Sequence, residues 1–315
     1  MRIPRLRPLP AAPDLGFGAA QLGNLFRETT DDEAARALDA AWDAGIRYFD
    51  TAPHYGLGLS ERRVGQALAA RPRDEYLLST KVGRLIVASP ETAGDRDDQG
   101  FDVPADHRRE WDFSRDGIRR SLDESLTRLG LDRVDIVYLH DPDDHWEAAS
   151  TTGVDALIEL RDEGVVGAIG AGMNQSAMLA EFVRRCDIDV VMLAGRYTLL
   201  DRDAADELLP LALDRGVAVI AAGVYNSGLL SQARVSADAV FDYAPVPDDL
   251  RARAEALADA CGRHGVELPA AALQFPRRHP AVAATVVGLR TADQVAGTMT
   301  RWQTAIPDDL WSELA

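Results

Sequence analysis

Short, nearly unbroken apolar runs alternate along the chain with longer stretches in which apolar positions return every three or four residues. The runs Leu15–Ala19, Ile46–Asp50, Tyr76–Lys81, Val134–His140, Val165–Ala171, Val190–Ala194, Val217–Ala222 and Ala284–Val287 predict strands. They alternate little, as strands do when a parallel sheet is covered on both faces. The stretches between them read as helices. Thr30 or Asp31 caps one that runs to Ala44 and is ended by Gly45. Ser114 precedes another, which carries Ile118, Leu122, Leu126 and Leu129 and closes at Gly130. The same spacing predicts helices over Val154–Asp162, Ser176–Arg185, Asp203–Arg215, Asp248–His264 and Thr291–Thr300.

Eight strand-then-helix units in succession predict an α/β protein, a (β/α)8 TIM barrel folded as a single domain over residues 1–315. A doubly wound open sheet is the alternative. Two connections are long and fall after strand ends, at the expected barrel mouth: the polar, acidic residues 84–113, and residues 223–247 with Pro245 and Pro247. Barrel enzymes keep their function in such loops.

Charge narrows the partners. The chain has 34 basic and 51 acidic residues and a net charge of −17. That balance argues against nucleic acid or an anionic membrane and leaves a small molecule as the expected partner. No window holds the ~18 consecutive apolar residues of a membrane span. Prolines at 4, 8, 10 and 13 interrupt the N-terminal region, which lacks a secretory apolar core. Cys186 and Cys261 make no disulfide framework, so a reducing, cytoplasmic setting is expected. Oligomeric state is left open.

Lys81 is the sole lysine among the 34 basic residues. An ammonium can titrate when buried, whereas a guanidinium stays charged, so this position invites a chemical reading. Asp50, Lys81 and His140 all stand at carboxyl ends of predicted strands, and Tyr55 lies just past Asp50. Together they suit acid–base work at a hydroxyl or carbonyl. A phenol is a poor base at neutral pH, but a neighbouring ammonium lowers its pKa. A carboxylate would hold that ammonium, and a histidine across the pocket would orient the substrate oxygen.

The segments Phe49-Asp-Thr-Ala-Pro-His-Tyr-Gly56, Ser79-Thr-Lys-Val-Gly83 and Val134-Asp-Ile-Val-Tyr-Leu-His140 resemble the aldo-keto reductases, as does the helix Ser121–Asp132. The resemblance spans nearly the whole barrel. It implies Tyr55 as general acid/base, Asp50 and Lys81 tuning it, and His140 orienting the carbonyl. It also implies a nicotinamide cofactor, NADP or NAD, extended across the barrel mouth. No Gly-x-Gly-x-x-Gly supports a Rossmann reading. By the resemblance, Asn174 falls where the carboxamide is held, and Asn226, Ser227, Gly228 and Leu229 where the pyrophosphate lies. Gly288, Arg290 and Gln294 fall at the adenosine end, with Arg290 able to meet a 2′-phosphate.

The chain departs from the family pattern at Ala194, where a glutamine is common, and at Ala222–Gly223, where a stacking tyrosine is common. Gly170-Ala-Gly-Met-Asn174 and His140-Asp-Pro-Asp143 resemble a branch of aldose 1-dehydrogenases and pyridoxal 4-dehydrogenases. That branch implies oxidation of an anomeric hydroxyl to a lactone, on L-fucose or a similar aldose. Substrate contacts are expected from His54, Trp111, Trp146, Arg196 and Tyr197, with Leu25, Phe26 and His145 as further candidates. Rival readings are an NADPH-dependent aldehyde or ketone reductase with the same four residues, a metal-dependent hydrolase, and a non-catalytic nucleotide-binding subunit. No metal ligand set is assigned.

Overall fold

The strands Leu15–Gly18, Tyr48–Asp50, Leu77–Val82, Ile136–His140, Ala168–Met173, Val190–Ala194, Ala218–Ala222 and Val282–Gly288 form the staves of a closed parallel barrel. Each pairs with its neighbours in chain order, and the eighth pairs with the first. The computed structural model describes residues 3–6, 13–236, 240–241 and 244–314. The expected (β/α)8 barrel is therefore present, and the open sheet is excluded.

The uninterrupted apolar runs follow from the two cores they serve. One parity of each strand points into the barrel, where Tyr48, Leu77, Ile136, Tyr138, Val190, Met192, Ile220 and Val286 pack together. The other parity, including Phe17, Phe49, Leu78, Val137, Ile169 and Val191, packs against the surrounding helices. A strand buried on both faces has no reason to alternate.

Most helices begin and end where the punctuation placed them. Thr30 caps Asp31–Asp43 in a reciprocal box with Glu33, and Ser114 caps Arg115–Leu129, which Gly130 closes at φ 63°. The predicted helix Asp203–Arg215 is two pieces, a single tight turn at Asp203–Ala205 and a helix over Leu208–Arg215. Pro210 explains the break, because proline is accommodated in a first turn but not in a helix interior.

Among the helices that escaped the apolar pattern, two are informative. Leu59–Leu68 buries Ser60, Glu61 and Arg63 beside Val64, Gly65 and Leu68, so half of its inner face is polar. Glu61 is paired there with Arg128 and Thr80. Leu268–Gln274 is buried all round and shows no amphipathic stripe.

The acidic 84–113 connection also needs correction as a plain loop. Arg84–Ala88 pairs antiparallel with His107–Trp111 in a hairpin. The second of those strands reads His-Arg-Arg-Glu-Trp, a mostly solvent-facing sequence with no apolar signal. Of the second long connection, residues 237–239 and 242–243 lie outside the described residues.

Candidate active site

Following each strand's inward parity to its carboxyl end gives one residue per strand, in order Gly18, Asp50, Lys81, His140, Gly172, Ala194, Ala222 and Gly288. All eight line one cavity of about 770 Å³ at the barrel mouth. Strands two to four thus bring functional side chains to the mouth, and the other five bring a methyl group or nothing.

The functional group set is built around Lys81, which is almost wholly buried. Its Nζ donates to Asp50 Oδ2 at 2.7 Å, to the Thr51 carbonyl at 3.1 Å and to the Tyr55 hydroxyl at 3.1 Å. Three donors meet three acceptors, so the ammonium has no rotational freedom left. Tyr55 is fixed through its backbone. Gly56 adopts φ 64°, and a Cβ there would lie 2.2 Å from the Gly23 carbonyl oxygen. The Tyr-Gly pair is therefore clamped against the turn Ala20–Gly23 that follows strand one.

Burial alone would drive the Lys81 ammonium toward neutrality, but Asp50 and Tyr55 outweigh it and hold its pKa above the ordinary lysine value. Tyr55 goes the other way from the sequence expectation. Burial lifts its phenol above the usual range, and the attraction of Lys81 offsets only part of that rise. The resting tyrosine is thus a protonated acid. His140 is pushed well below the ordinary imidazole range, first by burial and then by Arg84 and Lys81. Burial and the cations Arg84, Arg109 and Lys81 take His54 down to about 2. Both imidazoles are neutral, and the Nδ1 atom of each is buried without a hydrogen-bond partner.

His54 packs edge-on to His140 and to Phe101, at ring separations of 5.5 and 5.1 Å. Phe101, on the 84–113 segment, also faces the Tyr55 ring at 6.1 Å. That segment therefore forms a wall of the site, a role its acidic composition hid. Asp141, which follows His140, holds a left-handed φ of 40°. Its carboxylate accepts from Arg84 at 2.6 Å and sits 3.5 Å from His140 Nε2. Phe101, Asp141, Asp143 and Gln21 line the cavity and were not foreseen. Asp141 and Asp143 had a signal, since both lie in the His-Asp-Pro-Asp run.

Among the residues expected at the cofactor, Asn174 and Gly288 line the cavity. A Cβ on Gly288 would meet Gln21 Nε2 at 2.4 Å, and Gln21 Oε1 is buried without a partner. Asn226 donates to the Gly195 carbonyl at 3.1 Å, leaving its own Oδ1 unpaired. Asn226, Ser227 and Gly228 share positive φ angles, forming a tight left-handed turn. Leu229 contributes its side chain to the core instead. Gln294 accepts from the Arg290 backbone N–H at 2.8 Å. The buried Arg290 guanidinium donates to the Arg27 carbonyl and the Thr29 hydroxyl, tying down the segment after strand one.

The substrate expectations fare unevenly. His54, Leu25 and Phe26 line the cavity. Trp111 does not; it is part of the hairpin, stacked on Phe113 at 5.8 Å and tilted against His145 at 4.9 Å, with the Arg84 guanidinium 4.3 Å from its ring. Three further candidates pack away from the cavity. Trp146 lies against Phe182 of the helix Ser176–Arg185. Tyr197 packs on Phe275, and Arg196 faces Asp201, so neither reaches the cavity. Among the described residues no group of three or more His, Cys, Asp or Glu could hold a metal ion, and no helix is long and apolar enough to cross a membrane.

Comparison with known proteins agrees with this geometry. Residues 14–315 match the model of the Aldo/keto reductase family. A D-threo-aldose 1-dehydrogenase from a Pseudomonas species is 50% identical over 308 residues, covering 97% of this chain and 94% of its own. A pyridoxal 4-dehydrogenase from Microbacterium luteolum is 38% identical over 317 residues, covering 95% and 92%. The holo form of an aldo-keto reductase from Bacillus halodurans superposes with a TM-score of 0.75 at 28% identity, covering 96% and 92%. The chain belongs to the aldo/keto reductase family and is one of its oxidoreductases, enzymes that work with NAD(P).

Proposed function

We propose that the chain oxidises the anomeric hydroxyl of a cyclic aldose to the lactone, with Tyr55 moving the proton. The observation that carries this is the Asp50–Lys81–Tyr55 chain set at one side of a cavity whose opposite side is bare. The resemblance at 50% identity to an enzyme named for a D-threo-aldose points to the substrate class. The cavity wall supports it, because Asp141, Asp143, His54 and Gln99 offer polar groups to a hydroxylated ring.

The bare side fits a nicotinamide. Gly172, Ala194 and Ala222 leave room for a flat ring, and Gln21, which lies over Gly288, and Asn174 give polar partners for its substituents. The turn Asn226–Gly228 with Gln294 would hold the remainder of NAD or NADP, while Arg290, its guanidinium committed to Leu25, Arg27 and Thr29, acts by fixing the segment after strand one rather than by meeting a 2′-phosphate. When bound, the cofactor supplies a hydride acceptor.

The protein's own part is proton management. Lys81 stabilises the Tyr55 phenolate that takes the hydroxyl proton, and Asp50 keeps Lys81 charged and aimed. His140, neutral, shares a hydrogen bond with the reacting oxygen. The anionic phenolate is costly in this buried site, and that observation favours a second reading. A protonated Tyr55 is ready to donate, as an aldehyde or ketone reductase requires. Oxidation of pyridoxal is a third substrate possibility, carried by the 38% relative. Two unpaired cysteines, one buried and one half-buried, fit a reducing cytoplasm.

The test is to offer NAD and NADP separately with L-fucose, D-arabinose, L-galactose and pyridoxal, following reduced nicotinamide by absorbance. Reduction with an aldose is expected. No reduction with any aldose, together with NADPH consumption by a simple aldehyde, would replace this reading with the reductase one.

A further inference from the structure

Below the mouth, the interior of the barrel holds a feature that the reaction as described leaves unused. Barrel interiors are normally filled by branched apolar side chains. Here three hydroxyls are buried in line beneath Asp50. Ser79 Oγ donates to Asp50 Oδ1 at 2.6 Å, Tyr48 Oη lies 3.0 Å from Ser79 Oγ, and Tyr138 Oη lies 3.3 Å from Tyr48 Oη. None of the three side chains is exposed by more than 1%.

Counting protons fixes the direction of every bond. Asp50, ion-paired to Lys81, can only accept. Ser79 has one hydroxyl proton, and it goes to Asp50. Tyr48 must therefore donate to Ser79, and Tyr138 must donate to Tyr48. All three O–H dipoles point at the carboxylate, and such chains polarise cooperatively. The fold makes room for them. A Cβ on Gly16 would lie 2.7 Å from the Tyr48 ring, so strand one gives up a side chain where Tyr48 sits. Strand register places Ser79 beside Asp50 and Tyr138 beside Lys81, which sets the chain under the reactive pair.

We propose that Ser79, Tyr48 and Tyr138 are positioning residues, a one-way hydrogen-bond chain that holds the Asp50 carboxylate and, through Lys81, tunes Tyr55 for proton transfer. The donors draw charge on Asp50 toward Oδ1. Lys81 is then held less tightly at Oδ2 and donates more fully to Tyr55. Deleting the Tyr48 hydroxyl weakens the Ser79 bond, returns charge to Oδ2 and makes the phenolate harder to form. The titratable groups facing Tyr55 are Lys81, Asp50, Asp141, Arg84, His54 and His140; the deletion replaces none of them and reaches Tyr55 only through Asp50 and Lys81.

This rests on Tyr55 being the acid/base, so Tyr55→Phe is measured first as a control. The experiment is the pH profile of kcat/KM for Tyr48→Phe, Tyr138→Phe and the wild type, with cofactor affinity and Tm recorded alongside. For Tyr48→Phe the limb belonging to Tyr55 should move up by about 0.5–1 pH unit, with cofactor affinity unchanged. Tyr138→Phe removes only the terminal donor and should give a smaller shift of the same sign, which keeps the test alive if Tyr48→Phe fails to fold. The direction of the shift is the same whether the limb is read in oxidation or reduction. Superimposable profiles, with loss of Tm alone, would mean that the hydroxyls merely satisfy one another and would overturn the inference. An active Tyr55→Phe would sink the acid/base reading itself, and this inference with it.

Discussion

The two sides of the barrel mouth are built on opposite principles. Strands two to four end in the ion-paired Asp50 and Lys81 and in the buried His140, whereas strands five to eight end in Gly172, Ala194, Ala222 and Gly288. One side acts through side chains and the other through their absence. The difference teaches that a catalytic surface needs a place to put charge and a place to put the molecule that takes it. The bare side is as demanding as the charged one, because a single added side chain fills it.

Changes on the charged side should have the larger effects. In Lys81→Arg the net charge survives, but a planar guanidinium cannot meet Asp50, Thr51 and Tyr55 from one nitrogen. Turnover should fall by about 100-fold or more, measured as kcat with saturating cofactor. Wild-type turnover in that variant would make the single lysine an accident of composition.

On the bare side, Ala222→Leu should weaken cofactor binding by about 10–100-fold, the equivalent of the usual overpacking cost. Equilibrium titration of NAD and NADP checks it, and undiminished affinity would place the cofactor elsewhere. Between the two sides, Asp141→Asn should lower kcat/KM for an aldose by about 10-fold or more, since hydrogen bonds to a charged group are the stronger kind. A simple aldehyde without hydroxyls should be nearly indifferent, and equal losses on both would assign Asp141 to His140 rather than to substrate.

The smallest effect concerns stability. The folded pKa values of His54 and His140 lie below the unfolded value, so the unfolded chain binds more protons below about pH 6.5. Their contribution is complete above that pH and is lost as pH falls. Tm should therefore drop on going from about pH 7 to about pH 5, and His54→Gln should flatten the dependence. An unchanged slope in the variant would mean that His54 is solvated in the native protein.

The same contrast explains what the sequence disclosed. Asp50, Tyr55, Lys81 and His140 were legible because unusual chemistry stood at predicted strand ends. The barrel was legible because eight doubly buried strands leave eight apolar runs. The bare side was seen only as departures from a family pattern, at Ala194 and Ala222, because small residues carry no signal of their own. Phe101 and the hairpin around it were hidden by acidic surroundings, and the helix Leu59–Leu68 by the buried polar network of Glu61 and Arg63. Trp111, Trp146, Arg196 and Tyr197 do not line the cavity, because sequence places a residue in a loop but not the direction it faces. The acidity of Tyr55 was misjudged for a related reason. The charge of Lys81 can be read from the sequence, but the burial that outweighs it cannot.

The division of labour is tested most directly by Tyr55→Phe with two readouts on the same preparation, turnover and cofactor affinity. The account predicts a loss of turnover of about 100- to 10,000-fold with cofactor affinity essentially unchanged. Near-full turnover, or a parallel loss of cofactor binding, would contradict it.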